Sequence, residues 1–212
     1  MRHFHVKVCG ITRRKDAVLA AELGADMIGM IFYSGSLRCV SISSAQKIVQ
    51  HLSPTVDRVG VFVNERIEKM LSIARRLRLD YIQLHGDEKT KDILMLKKYG
   101  LKVIKGYSVS SQADYAKLYL SKADLVLVDN VTPKERGGTG ERFDWRLTPP
   151  TRIANLMLAG GISIDNVEEG IRIFDPLVVD VNSGVETRPG IKSAEKLKRF
   201  FEKCDQLRYG QR

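Results

Sequence analysis

An alternation along the chain constrains the fold most. Eight short β-type runs recur: "HVKVC", "MIGMIF", "RVGVFV", "YIQLH", "KVIKGY", "DLVLVD", "NLMLAG" and "LVVDV". Helical patterns lie between most of them, around residues 13–23, 43–52, 65–77, 87–99, 111–121, 163–173 and 192–204. Strands that alternate with helices imply βαβ units and a parallel sheet. Eight is the number that closes a (β/α)8 TIM barrel, and 212 residues sit near the lower end for that α/β fold. The rival is a doubly wound open sheet. One stretch breaks the pattern, the Gly/Pro-rich "NVTPKERGGTGERFDWRLTPP" after the sixth run. Phe143 and Trp145 within it read as packing for that loop. No segment has the composition of a linker, so a compact single domain over 1–212 is expected.

Local chemistry marks the helix boundaries. Thr12 reads as the start of the first helix. Ser43 or Ser44 and Asn64 are candidate N-caps, whose side-chain oxygens would accept orphan amides. Gly24 and Gly100 follow helical runs, where a glycine can take the left-handed conformation that ends a helix.

Composition narrows the function classes. Hydrophobic residues make up 43% and charged residues 28%, as in an ordinary soluble globular protein. No run approaches the roughly 20 apolar residues of a membrane helix, and no signal-peptide core precedes the first strand. The net charge of +10 invites a nucleic-acid reading. The basic residues, however, alternate with acidic and apolar ones on many helical faces, which favours solvated surfaces and attraction of small anionic substrates. Cys9, Cys39 and Cys204 form neither a C-x-x-C pair nor a metal-ligand cluster. A cytoplasmic protein without disulfides is expected, with Cys39 and Cys204 as quiet, partly buried thiols.

In a parallel barrel, chemistry is built at the C-terminal ends of the strands. Those ends carry Cys9, Phe32, Asn64, His85, Gly106, Asp129, Gly160 and Asp180. A thiol, an imidazole and two carboxylates at strand ends are hard to explain as packing. Period-two alternation puts Lys7 on the side of Cys9, and Gln83 on the side of His85. The turns "LAGGIS" and "VDVNSGVE" after the last two strands carry glycines, whose backbone amides can approach a phosphate. Arg38, in "YSGSLRCVS", reads either as a surface arginine or as a carboxylate clamp. His85 reads equally as a structural histidine or a substrate contact.

Taken in order, "KVCGIT", "GADMIGMIF", "RVGVFVNE", "IQLHGDE", "GGTGERFDW", "LAGGI" and "VDVNSGVETRPGIKS" resemble phosphoribosylanthranilate isomerase of tryptophan biosynthesis nearly end to end. The resemblance implies a (β/α)8 barrel that uses no metal and no organic cofactor. It also implies an Amadori rearrangement of N-(5-phosphoribosyl)anthranilate to 1-(2-carboxyphenylamino)-1-deoxyribulose 5-phosphate. Position by position, it implies Cys9 as general base, Asp129 as general acid and Arg38 at the anthranilate carboxylate. Gly160, Gly161, Ser183 and Gly184 would hold the phosphate, and His85 and Asp180 would contact substrate. The expected partner is a small anionic phosphosugar, with no nucleic acid or membrane, and the chain acts as a monomer or homodimer. Another phosphosugar barrel enzyme, an epimerase or lyase, and a non-catalytic basic RNA-binding module are the alternatives.

Two positions depart from the family pattern. Ser36-Leu37-Arg38 lacks the proline often found before the arginine, and Asn182 stands where a serine is common. For Cys9 to act as a base it needs thiolate character, so a nearby cation is expected. Lys7 is the candidate, either lowering the thiol's pKa or pairing with a strand-end carboxylate.

Overall fold

The computed structural model describes residues 3–129 and 147–210. Phe143, Trp145 and the "GGTG" stretch lie outside the described residues.

Eight parallel strands close into a barrel: β1 (His5–Val8), β2 (Met27–Ile31), β3 (Asp57–Phe62), β4 (Tyr81–Leu84), β5 (Lys102–Ser108), β6 (Leu125–Asp129), β7 (Leu156–Leu158) and β8 (Val178–Val181). Pairing of β1 with β8, from His5 opposite Val178 to Val8 opposite Val181, completes the ring. The open-sheet rival is thereby excluded. The helices are α1 (Arg14–Glu22), α2 (Ile42–Val49), α3 (Ile67–Leu77), α4 (Thr90–Lys98), α5 (Tyr115–Tyr119), α6 (Val167–Phe174) and α7 (Ala194–Tyr209). After β8 the chain adds a small antiparallel hairpin, β9 (Glu186–Arg188) and β10 (Ile191–Lys192), around Pro189-Gly190.

Hydrophobic periodicity explains the layers. In α3, Met70, Leu71, Ile73, Ala74 and Leu77 are buried at the spacing of one helical face. Each large apolar side chain so buried contributes about 1.5–3 kcal/mol. A second apolar cluster, including Met27, Val59, Ile104, Leu127, Met157 and Val178, fills the barrel interior. The barrel is therefore a packed core, open to ligand only at its rim.

One device recurs at the opposite rim. Asp26, Asp80 and Asp124 immediately precede β2, β4 and β6. Each carboxylate accepts a backbone N–H from the preceding strand: Val6 at 2.7 Å, Arg58 at 2.8 Å and Val103 at 2.8 Å. These pins satisfy donors that a barrel strand would otherwise leave unpaired.

Several boundaries differ from expectation. The α2 N-cap is Ser41, whose hydroxyl accepts from Ser44 N, so Ser43 and Ser44 lie inside the helix. Asn64 does not cap α3. It takes a left-handed conformation (φ 50°) and ties the loop after β3 to Asp87. Thr12 precedes α1, and its hydroxyl donates to Gly190 O of the hairpin. Gly24 and Gly100 do end their helices at positive φ. Among the described residues, no helix is long and apolar enough to cross a membrane.

Candidate active site

At the tip of β1, Cys9 is buried, and its amide donates to Val181 O of β8 at 2.9 Å. Glycines make the space for it. A Cβ on Gly29 would lie 2.9 Å from Cys9 Sγ. Gly10, at φ 68°, turns the chain where a Cβ would lie 2.5 Å from Asn182 Oδ1 and 2.7 Å from Arg38 Cδ.

Beneath the thiol, Lys7 and Asp180 are register partners on β1 and β8. Lys7 Nζ donates to Asp180 Oδ2 at 2.9 Å, and both residues are buried. Asp180 is the penultimate residue of β8. The pairing raises the Lys7 pKa although burial opposes it. Burial pushes the Cys9 thiol up, Asp180 adds to this, and the ammonium groups of Lys7 and Lys192 pull it back without cancelling the rise. Of the two alternatives for Lys7, the structure shows the pairing with a carboxylate, while its pull on the thiol is outweighed by burial. Burial likewise pushes Asp180 up against the pull of Lys7, and its Oδ1 has no hydrogen-bond partner among the described residues.

The hairpin supplies two site residues that the sequence did not single out. Glu186 accepts from Arg38 Nε at 3.0 Å and Nη2 at 2.8 Å, from Lys192 Nζ at 2.9 Å and from Gly190 N at 3.1 Å. Lys192 Nζ also donates to Asn182 O and Oδ1, at 2.9 and 2.8 Å. Burial opposes ionisation of Glu186, but Arg38 and Lys192 outweigh it and hold this carboxyl below its usual range. Arg38 is thus a buried arginine, 7% exposed, rather than a surface one. The missing proline before it is offset by this two-point contact and by Ser36, whose hydroxyl accepts from Arg38 N. The signal for this cluster was the Pro-Gly turn, which folds Glu186 back beside Lys192.

Across the barrel mouth, His85 Nε2 lies 3.3 Å from Asp129 Oδ2. These two line a cleft of about 220 Å³ with Gly86, Asp87, Gly106, Tyr107 and Ser108. A Cβ on Gly106, mid-strand in β5, would lie 2.8 Å from His85 Nδ1, so glycine makes room for the ring. Lys105, also unremarked in the sequence, fixes the loop after β4 by donating to Gly86 O at 2.6 Å and Glu88 Oε2 at 2.9 Å.

The turns after β7 and β8 pack against each other. Gly160 and Gly161 have φ values of 81° and 70°. Asn166 shapes their turn, accepting from Ser163 N and donating to Gly161 O. A Cβ on Gly184 would fall 2.1 Å from Ile162 O, so only glycine permits this approach. Ser183 begins a single 3-10 turn at the same place. Of the remaining thiols, Cys204 is buried as expected, whereas Cys39 is exposed, contrary to expectation. Among the described residues, no group of three or more His, Cys, Asp or Glu side chains could hold a metal ion.

Thiol and carboxylate thus occupy opposite sides of one barrel mouth, with glycine turns between them around the ring. Comparison with known proteins adds chemistry to that geometry. A family model described as N-(5'phosphoribosyl)anthranilate (PRA) isomerase matches residues 6–203. The N-(5'-phosphoribosyl)anthranilate isomerase of Thermotoga petrophila is 41% identical over 206 residues, covering 95% of this chain and 98% of that one. The crystal structure of the Thermotoga maritima phosphoribosyl anthranilate isomerase superposes with a TM-score of 0.89 at 39% identity, covering 96% of this chain and all of that one. A further isomerase structure holds reduced 1-(o-carboxyphenylamino)-1-deoxyribulose 5-phosphate. It superposes with a TM-score of 0.84 at 36% identity, over 96% of this chain and all of that one.

Proposed function

The chain belongs to the N-(5'-phosphoribosyl)anthranilate isomerase family and is an isomerase of tryptophan biosynthesis, and from that premise we propose that Cys9 and Asp129 divide its acid–base work. The substrate is a ribosylamine phosphate, an aldose derivative that leaves as a ketose. Asp129 gives a proton to the ring oxygen as the ring C1–O bond breaks, and the nitrogen lone pair forms an iminium. The Cys9 thiolate then removes the C2 proton, leaving an enolamine. Proton transfer from the C2 hydroxyl to C1 yields the ketone. Apart from the C1–O cleavage that protonation assists, these are proton transfers that acid and base suffice to supply, and exchange with water takes the proton from Cys9 and returns one to Asp129.

One observation carries this assignment: a buried thiol beside two ammonium groups stands at the tip of β1, and the Asp129 carboxylate ends β6, three strands away around the same mouth. Acid and base therefore approach opposite parts of a sugar lying between them. A thiolate formed against burial is a stronger base than an exposed one, and Lys7 and Lys192 make its formation feasible. Arg38 receives the anthranilate carboxylate, using the guanidinium N–H groups that Glu186 leaves. Gly160, Gly161, Ser183 and Gly184 hold the phosphate through backbone amides. His85 and Asp180 contact the sugar. Residues 1–212 work as one catalytic domain in the cytoplasm, as a monomer or homodimer that sedimentation velocity distinguishes.

Complementation of a strain lacking this isomerase tests the assignment, alongside a fluorescence assay of phosphoribosylanthranilate consumption. Cys9→Ala and Asp129→Asn are each expected to lower kcat by roughly 10²–10⁴-fold with a much smaller change in KM. Near-normal turnover in either variant removes that residue from the mechanism.

A further inference from the structure

Gln83, on β4, is only 2% exposed, and a primary amide at that depth needs a reason. Its Nε2 lies 3.3 Å from His85 Nδ1. Its Oε1 is buried without a hydrogen-bond partner among the described residues. Burying an unpaired oxygen costs free energy that an apolar side chain of similar size would not. As a space-filler, glutamine is thus the wrong residue, and the contact with the imidazole is what the amide supplies.

That contact has a chemical consequence. An amide NH2 only donates, so Nδ1 must accept, and neutral His85 then carries its proton on Nε2. Nε2 is the nitrogen that faces Asp129 Oδ2 at 3.3 Å. The ring's Nδ1 edge occupies the space that a side chain on Gly106 would fill.

We propose that Gln83 is a positioning residue for the acid: it fixes the Nε2–H tautomer of His85, which engages Oδ2 of Asp129 and leaves Oδ1 to carry the transferable proton. A neutral carboxyl has one carbonyl oxygen and one hydroxyl. With Oδ2 accepting from His85, the hydroxyl proton sits on Oδ1 and passes from there to the ring oxygen. His85 gains and loses no proton, and its Nε2–H stabilises the carboxylate that remains. The contact tightens from 3.3 Å as that negative charge forms. The catalytic half of this proposal rests on Asp129 being the acid; the tautomer half does not.

The test is long-range 1H–15N correlation on histidine-labelled protein. The chain has four histidines, and His85 is assigned by its loss in His85→Gln. In unaltered protein, Nδ1 of His85 should be pyridine-like and Nε2 pyrrole-like. Gln83→Glu, whose carboxylate accepts, should move the proton to Nδ1, and Gln83→Leu should leave a mixture. Gln83→Leu should also lower kcat roughly ten-fold while KM stays within about two-fold, as for loss of transition-state positioning. A pyrrole-like Nδ1 in unaltered protein overturns the proposal whether or not the variants fold. So does a tautomer preserved in Gln83→Leu. Full turnover in Asp129→Asn overturns the acid assignment instead, and leaves the tautomer result standing.

Discussion

Replacing Gly10 by alanine would test the tightest point of the candidate site. Gly10 has a φ of 68°, a conformation that costs an L-residue on the order of 1 kcal/mol. The added Cβ would meet Asn182 Oδ1 at 2.5 Å and Arg38 Cδ at 2.7 Å. Both neighbours must move, and overpacking of this kind costs about 1–3 kcal/mol. The sum is roughly 2–4 kcal/mol, read as a loss in urea unfolding free energy. Because the Asn182 oxygen is the nearest atom, Asn182→Ala in the same chain should remove part of the clash. Asn182→Ala alone forfeits the Lys192 hydrogen bond, at about 1 kcal/mol. The double variant should then be more stable than the two single losses imply, by about 1 kcal/mol or more. Activity should change with stability, since on the proposed role of Arg38 at the anthranilate carboxylate its displacement raises KM. Strict additivity of the two substitutions, or a Gly10→Ala cost below about 0.5 kcal/mol, would refute this account of the "KVCGIT" turn.

Three further outcomes follow from buried ionisable groups. Glu186→Gln leaves Arg38 and Lys192 as buried cations without their shared anion, and should cost about 3–5 kcal/mol by urea unfolding. Since the Glu186 carboxyl is held below its unfolded value, its stabilisation is present above about pH 4.3. It is lost as pH falls through the folded value, so the difference between unaltered protein and Glu186→Gln should shrink below about pH 4. Lys7→Met should raise the Cys9 titration midpoint further, read as thiolate absorbance in a Cys39→Ser background; an unmoved midpoint would mean that Lys7 and Asp180 cancel at the sulfur. Cys204, fully buried on α7, is pushed up to about 12 by burial. Its unfolded thiol ionises above about pH 9, so stability should fall by up to about 1.4 kcal/mol per pH unit between there and pH 12. Cys204→Ala should lack that component of the alkaline loss.

What the sequence made legible was what repeats. Hydrophobic runs of period two, separated by helical faces, are local patterns, and eight of them constrained the barrel before any contact was known. Strand ends follow from that count, so Cys9, His85 and Asp129 could be placed at the mouth from their positions alone. Pairing across the sheet was less legible, because it depends on register between strands far apart in the chain. Lys7 opposite Asp180 joins residues 173 positions apart, and no local pattern specifies that alignment. The hairpin was missed for a different reason. Glu186 and Lys192 look like ordinary surface charges in "ETRPGIK", and only the Pro-Gly turn hints that they face each other. The aspartates before β2, β4 and β6 were also a visible repeat, but their task at the far rim is a backbone bond that composition does not reveal.

The thiol at the first strand tip draws these levels together. A cysteine there invites a reading of reactivity from its position, and the expectation was that a neighbouring cation would make it acidic. The fold supplies two such cations, Lys7 from its own strand and Lys192 from the hairpin. It also buries the sulfur and places the Asp180 carboxylate beside it. Burial disfavours the thiolate in the resting protein, and the same burial makes any thiolate that forms a stronger base. In its proposed role of taking a proton from carbon, Cys9 benefits from that exchange of population for basicity, provided the cations keep the charged form within reach. In that proposed role, Lys7 and Lys192 set how often the thiolate is ready, while the packed barrel beneath sets how strong a base it is.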